Sequence, residues 1–464
     1  MKKLLAISLL FFLFLEGTRS QTLTPDQLGK DLRIFRSGLE SFHPEMYRYT
    51  DAATFEKLFT QVEKKISQPM TQEQFYMEMN PLIVALKDGH TKWIVQGKDQ
   101  YYPFYEEDLF PLQLYFEGNK AFIISHLAGE SVPELAEVKK INGIETEELI
   151  NSLLSNLSFG DGESLGGKYY QLNNHFSAVF ATFFGVKAVY EIELVLDGEK
   201  LNWKGSGISK AQIEKKNKDS SEPFSYELLN GTTAILDINR FFTHSKEPDL
   251  KKFLKNSFRS MKENEVKNLI LDLRGNEGGI EKYGVWLYQY LAKSDFDYYN
   301  FISVKPNLKT DYEIHTSKIF SVLNGFSKNS ESGYRFTKSM GLKSHKPAKN
   351  AFEGELIVLI DGQCFSVTTE FAARVKSDQR GYFIGQETAG GYALNSSGFF
   401  TIITLPNSKI DLGVPRLGFH MADLNPVQPL NRGILPDLEV IPSAKDILNG
   451  KDPVMEKALV KISN

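Results

Sequence analysis

From Thr22 to Gln96 apolar residues return every three or four positions. In TPDQLGKDLRIFRSGLESF, Leu28, Leu32, Phe35 and Leu39 share one face, the spacing of an amphipathic helix, with Thr24 as candidate N-cap and Pro25 at the first helical position. ATFEKLFTQVEKKI and TQEQFYMEMNPLIVALK continue the pattern until Asp88-Gly89 breaks it, so a helical segment is predicted over 21–100. Beyond it, FPLQLYF, KAFIISH and YEIELVL alternate as half-buried strands, and VKKINGIETEELINSLL reads as strand, Asn-Gly turn and helix. These predict an α+β unit over 104–206. Residues 207–221, polar and containing GSG and KKNKDSSE, read as a linker. From 222 to 445, apolar runs such as TTAILDI, NLILDL, ELIVLI and YFIG alternate with helical stretches, the pattern of an α/β core. A Lys-rich stretch without periodicity, 298–350, interrupts it, either as a lid over a cleft or as a solvated excursion.

Two junctions in this core carry candidate chemistry. ELIVLI ends at Asp361-Gly362, and SVTTEFAARVK then begins a helix, so Ser366 sits where a strand turns into a helix. Ser at a helix start is ordinarily a cap. As a nucleophile it would instead face the positive helix end, with the Val367 N–H free to donate to an oxyanion. In NLILDLRGNEGG a second strand runs into a turn with glycines at 275, 278 and 279, which lets backbone N–H groups line a cavity without a Cβ in the way.

Four ordered blocks, LILDLRGNEGG, AFEGELIVLIDGQCFS, IGQETAGG and RGILPDLEV, together resemble the S41 peptidases, the family of tail-specific and tricorn-like proteases. The resemblance implies a ClpP/crotonase-like α/β core, with the helical segment before it and a PDZ-like middle domain, the latter on the strength of the Ile-Asn-Gly turn followed by a helix. It implies Ser366 as nucleophile and an oxyanion hole from the N–H of Val367 and that of Gly278 or Gly279. The Lys that serves as base in the tail-specific branch is absent, since position 391 is Gly. Asp88-Gly89-His90-Thr91 resembles the block that supplies a His in the tricorn-like branch, which assigns His90 as base. The family's Glu three residues after the Ser is displaced to Glu370, and its Glu before the Gly-x-x-Pro-Asp block corresponds to Leu430. The carboxylate that orients the base is therefore open among Asp437, Glu387 and Asp88.

Composition adds bounds. Apolar residues make up 41% and charged residues 24%, with a net charge of -4, which gives no reason to expect a nucleic-acid partner. Residues 1–20 read as a cleavable secretory signal: Lys2-Lys3, the run LLAISLLFFLFL, then small polar residues without a Cys at the junction. That predicts a periplasmic or secreted protein with no stable membrane anchor. The single Cys, Cys364, excludes an internal disulfide; two residues before Ser366, it is a rival nucleophile by position but reads better as a small buried apolar residue. Neither metal-ligand spacing nor a phosphate-binding fingerprint is present, so no metal or cofactor is expected. The expected activity is hydrolysis of peptide bonds in peptides or unfolded protein segments. The competing expectation is a non-catalytic ligand- or peptide-binding protein on the same scaffold.

Overall fold

Each apolar run of the C-terminal region becomes a strand of one twisted sheet in the computed structural model, which describes residues 22–214, 222–331 and 333–463. The strand order is 438–439, 382–385, 355–360, 268–272, 233–238, 224–230, all parallel except the last, antiparallel edge. Leu271 lies opposite Val358 on one side and Leu236 on the other. ELIVLI is apolar throughout because both its faces are covered. Leu356, Val358 and Ile360 point to the side packed with Leu254, Phe258, Leu287 and Phe371 from the helices Leu250–Glu263, Glu281–Gln289 and Val367–Ser377. Ile357 and Leu359 point to the other side, under Val454 and Ala458 of the helix Pro453–Ser463. The structural unit therefore runs past 445.

A second sheet lies over the site, in the order 314–316, 394–404, 410–421, 299–304, 333–336, 328–330. Two departures from the sequence reading meet here. Residues 21–100 are not helical throughout: the helices are Pro25–Phe42, Ala52–Lys65 and Gln72–Leu86, and Lys92–Val95 is a strand paired antiparallel with 410–413. The stretch 298–350 does not begin as an excursion, because Tyr299–Val304 pairs with the other end of the same long strand, from Leu417 to Met421. Four alternating residues in KWIV are too few to outweigh a helical neighbourhood in the sequence; the partner strand supplies what local pattern lacks.

The N-terminal helices bury Leu28, Phe35, Leu39 and Phe75 against Ile403, Leu412 and Val414 of the 394–421 hairpin. Asp31, fully buried, fixes this contact by accepting from the Ser408 N–H at 2.7 Å and Asn407 Nδ2 at 2.8 Å. At Gly38 a Cβ would lie 2.2 Å from Ile403 Cδ1, so a larger residue there would force the Ile403 side chain to move.

The middle unit is a sheet in the order 112–117, 120–126, 137–141, 189–196, 199–206, with Ile144–Glu145 added beside 137–141 and helices Thr146–Asn156 and Gly166–Phe184 packed on it. This arrangement is compatible with a PDZ-like fold. Its core centres on Phe110, Phe176, Phe180 and Tyr190. Within 207–221, Ile208 pairs with Leu109 and Lys210–Glu214 forms a short helix, so the first half of the expected linker is structured; 215–221 lie outside the described residues, as does the signal at 1–20. No described helix is long and apolar enough to cross a membrane.

Candidate active site

The turn between the strand Glu355–Ile360 and the helix Val367–Ser377 is held from below. The buried Asp361 carboxylate accepts from the N–H groups of Gln363 at 3.0 Å and Cys364 at 3.2 Å within the turn, and of Gly275 at 3.1 Å across it. The Phe365 N–H donates to the Asn276 carbonyl at 3.2 Å, and Asn276 Nδ2 to the Ile238 carbonyl at 2.7 Å. The two junctions singled out in the sequence are thus one hydrogen-bonded unit. Cys364 is fully buried, with its thiol donating to the Leu273 carbonyl at 3.1 Å and pushed well above its usual range by burial and by Asp361. It is a structural residue, not a thiolate.

Ser366 itself does not cap the helix: its side chain makes no capping hydrogen bond, and its backbone sits at φ 54°, ψ -128°. That region suits glycine and costs another residue about 1–3 kcal/mol. The strain lifts the side chain out of the capping position into a cleft of about 540 Å3, which His90, Gly279, Val367 and Glu370 also line.

Opposite the serine, a Cβ on Gly278 (φ +100°) would lie 2.8 Å from Ser366 Cβ and 2.9 Å from the Val367 nitrogen. The Gly278 N–H is not a free donor, because it is held by Asn276 Oδ1 at 2.8 Å. This narrows the oxyanion donors expected from sequence. Among the described residues no acceptor is recorded for the N–H of Val367 or of Gly279, and Gly278 contributes the absence of a side chain. Gly278→Ala is expected to lower hydrolysis at least a hundredfold and to cost roughly 1–3 kcal/mol of stability. Side-by-side thermal melts and turnover assays would check it; a fully active, equally stable variant would contradict the geometry.

His90 lies on the turn after the third helix, its ring stacked on Phe365 at 4.3 Å between centroids and 23° between planes. Burial lowers its pKa to about 4 against the opposing charge of Asp88, so it is neutral at physiological pH. No hydrogen bond joins it to Ser366, although both line the cleft, and its buried Nδ1 has no partner. Asp88 Oδ1 accepts the His90 N–H at 2.8 Å, and Asp88 Oδ2 pairs with His43 Nε2 at 2.6 Å. Since His43 Nδ1 accepts from the Glu45 N–H at 3.1 Å, the proton to Asp88 sits on Nε2. Burial alone would raise the Asp88 carboxyl, but His43 and His90 outweigh it and hold it below the usual range.

A second carboxylate completes the turn. Asp161 accepts from the Gly89 N–H through one oxygen and from the Gly391 N–H through the other, both at 3.0 Å. It ties the His90 turn to the glycines that follow the Ser366 helix, and burial beside Asp88 pushes its pKa up. Ligand atoms of Asp88, His90 and Asp161 lie within 4.8 Å of one another. Each of the four carboxylate oxygens already accepts a protein hydrogen bond, so the group reads as a positioning network rather than a metal centre.

Of the three carboxylates left open by the sequence, only Asp88 is near His90. Asp437 is bound to Lys376 and the Phe383 N–H, and Glu387 to Arg432 and the Gly433 N–H. His43 terminates the first helix and also engages Asp88. Asp161 was missed; its one sequence signal is the Gly-Asp-Gly turn at 160–162, which mirrors the Asp-Gly at 88–89.

Glu370 lies one helical turn after Ser366, buried, and accepts from Tyr299 Oη and from Asn395 Nδ2, the latter at 2.5 Å. Burial raises its pKa to about 7. Unfolded, the group ionises near its ordinary value of about 4.3, so its contribution is fully present below that pH and is lost as pH rises to about 7. Glu370→Gln is therefore expected to gain in melting temperature relative to wild type as pH is raised from 4.5 to 7. A difference that stays flat across that window would show that the carboxyl is not held neutral.

Residues 232–440 match the model of peptidase family S41. The matched stretch contains Ser366, Val367 and both cleft glycines but not His90. No curated protein matches the chain. Among solved structures it is similar to mature CPAF, at 14% identity and TM-score 0.62, covering 94% of this chain and 96% of that one. It is similar also to mature CPAF complexed with lactacystin, at 14% identity and TM-score 0.60, covering 94% and 97%. At such identities the likeness establishes the fold alone.

Proposed function

Because residues 232–440 belong to peptidase family S41, making the chain a serine-type peptidase, we propose that it is an exported endopeptidase in which Ser366 attacks the scissile carbonyl and His90 takes the serine's proton. The observation that carries this reading is the strained backbone of Ser366, which frees its hydroxyl from capping and holds it against a glycine with no Cβ. The N–H groups of Val367 and Gly279 would receive the oxyanion, at about 3–4 kcal/mol of barrier for each donor. His90, neutral and carried on a turn fixed by Asp88 and Asp161, would turn towards the hydroxyl once substrate enters, since hydrogen bonds of this kind tighten in the Michaelis complex. Asp88, whose charge acts on His90, would stabilise the imidazolium that forms, with His43 fixing it in turn.

The cleft wall of Phe336, Phe399, Leu417 and Phe419 suits an extended, partly apolar peptide, so unfolded segments and chain tails are the substrates we infer. Export by the leader at 1–20 would place this activity in the periplasm or outside the cell. One observation favours the alternative, a binding protein on the same scaffold: His90 and Ser366 share no hydrogen bond. Treatment with a fluorophosphonate probe, with the labelled peptide mapped by mass spectrometry, separates the two. Stoichiometric modification of Ser366 is expected; a folded sample that takes up no probe under any denaturant-free condition would leave only the binding reading.

A further inference from the structure

Next to the catalytic cleft is a smaller cavity, of about 150 Å3, that the hydrolytic scheme does not use. Three parts of the chain enclose it: the helix Gln72–Leu86 with the strand Lys92–Val95, the helix Gly166–Phe184, and the glycine turn through Glu277. Cavities where separate units meet are the usual place for ligands. This one adjoins the catalytic cleft, since Lys92, Phe159 and Glu277 line both.

Its walls are aromatic. Tyr76 lies on Trp93 at 4.9 Å between ring centroids and 31° between planes, and Phe159 is 6.0 Å from Tyr170. Faces and edges so arranged favour another ring, and a hole of this volume is the size that admits one benzene ring. The cavity is not uniformly apolar. Gln171 lines it, and its amide oxygen is buried with no hydrogen-bond partner. A buried acceptor left unpaired is costly, and a donor brought in by a ligand would relieve that cost. Lys92 and Glu277, of opposite charge, stand where the two cavities adjoin.

We propose that this cavity is a substrate subsite for one aromatic side chain near the scissile bond, with tyrosine favoured because its hydroxyl can donate to the Gln171 amide oxygen. The inference rests on the peptidase reading of Ser366 and adds to it a determinant of substrate choice. An extended peptide in the cleft turns alternate side chains to opposite sides, so one position flanking the cleaved bond faces the cavity.

The test uses quenched fluorescent peptides in which Ala, Leu, Arg, Phe and Tyr are placed in turn at each position flanking one cleaved bond. At a single position Phe and Tyr are expected to raise kcat/KM at least tenfold over Ala, chiefly through KM, with Tyr ahead of Phe. Ala178 lines the cavity, and Ala178→Phe is expected to remove the preference by filling the space. Gln171→Leu, on the partly exposed side of the helix, is the gentler change and is expected to bring Tyr down to Phe. In both variants the rate of Ser366 modification by a small fluorophosphonate should match wild type, which also reports a folded site. Equal rates for all residues at every position in a probe-reactive enzyme would overturn the subsite, as would a Tyr preference that survives Gln171→Leu. A wild-type protein that the probe does not modify would instead overturn the peptidase reading beneath it.

Discussion

Ser366→Ala is expected to remove hydrolysis, a loss on the order of 10⁶ in kcat, or about 8 kcal/mol of barrier, while leaving the protein folded. The serine has no cap hydrogen bond to lose and is 9% exposed, so the stability change should stay within about 0.5 kcal/mol. The companion Ser366→Gly separates chemistry from strain. It should be equally inactive but more stable, by roughly 1 kcal/mol, because glycine occupies φ 54°, ψ -128° without a Cβ penalty. Chemical denaturation of the three proteins together with a peptide assay decides the matter. An alanine variant that still turns over substrate would remove Ser366 from the mechanism, and a destabilised glycine variant would contradict the strain.

His90→Ala should be nearly as severe, a loss of about 10⁴–10⁶ in kcat, and combining it with Ser366→Ala should cost nothing further, since nucleophile and base act as a unit. The pH dependence gives a second handle. A base must be neutral, and burial places the His90 pKa at about 4, so the acid limb of kcat/KM should fall near pH 4 rather than near the ordinary value of about 6.5. For stability the sign is that of a depressed His. The unfolded chain takes up this proton near pH 6.5 and the folded one only near 4, so the contribution is whole above 6.5 and is lost as pH falls through that window. An acid limb centred near 6.5 would mean that the ring is more open to solvent than its stacking on Phe365 implies.

The parts of the molecule legible in sequence are those where local pattern and tertiary surroundings agree. ELIVLI, closed by Asp361-Gly362 and followed by a helix with apolar Phe371 and Val375, reads as strand, turn and helix because each residue is set by its own neighbours. The glycine turn is legible as a turn for the same reason, whereas its approach to Ser366 was expected only from the family resemblance. What was not legible is carried by single long-range contacts. His43 meets Asp88 across the N-terminal segment, and Asp161 reaches from the middle unit to Gly89 and Gly391. One or two hydrogen bonds per residue leave no periodicity to read. The strand Lys92–Val95 fails for a related reason: four residues become a strand only because Ile410–Gly413 lies alongside.

That pairing also sets when the N-terminal segment can first dock. The turn bearing His90 leaves the ribosome early, the Ser366 turn much later, and the hairpin strand that docks beside Lys92 later still. A nascent chain halted anywhere before the hairpin carries His90 on a segment whose apolar helices have nothing to rest on, since their partners Ile403, Leu412 and Val414 are not yet made. The order of synthesis thus acts as a timer: the segment that carries His90 can come to rest beside Ser366 only after residues 394–421 have been made.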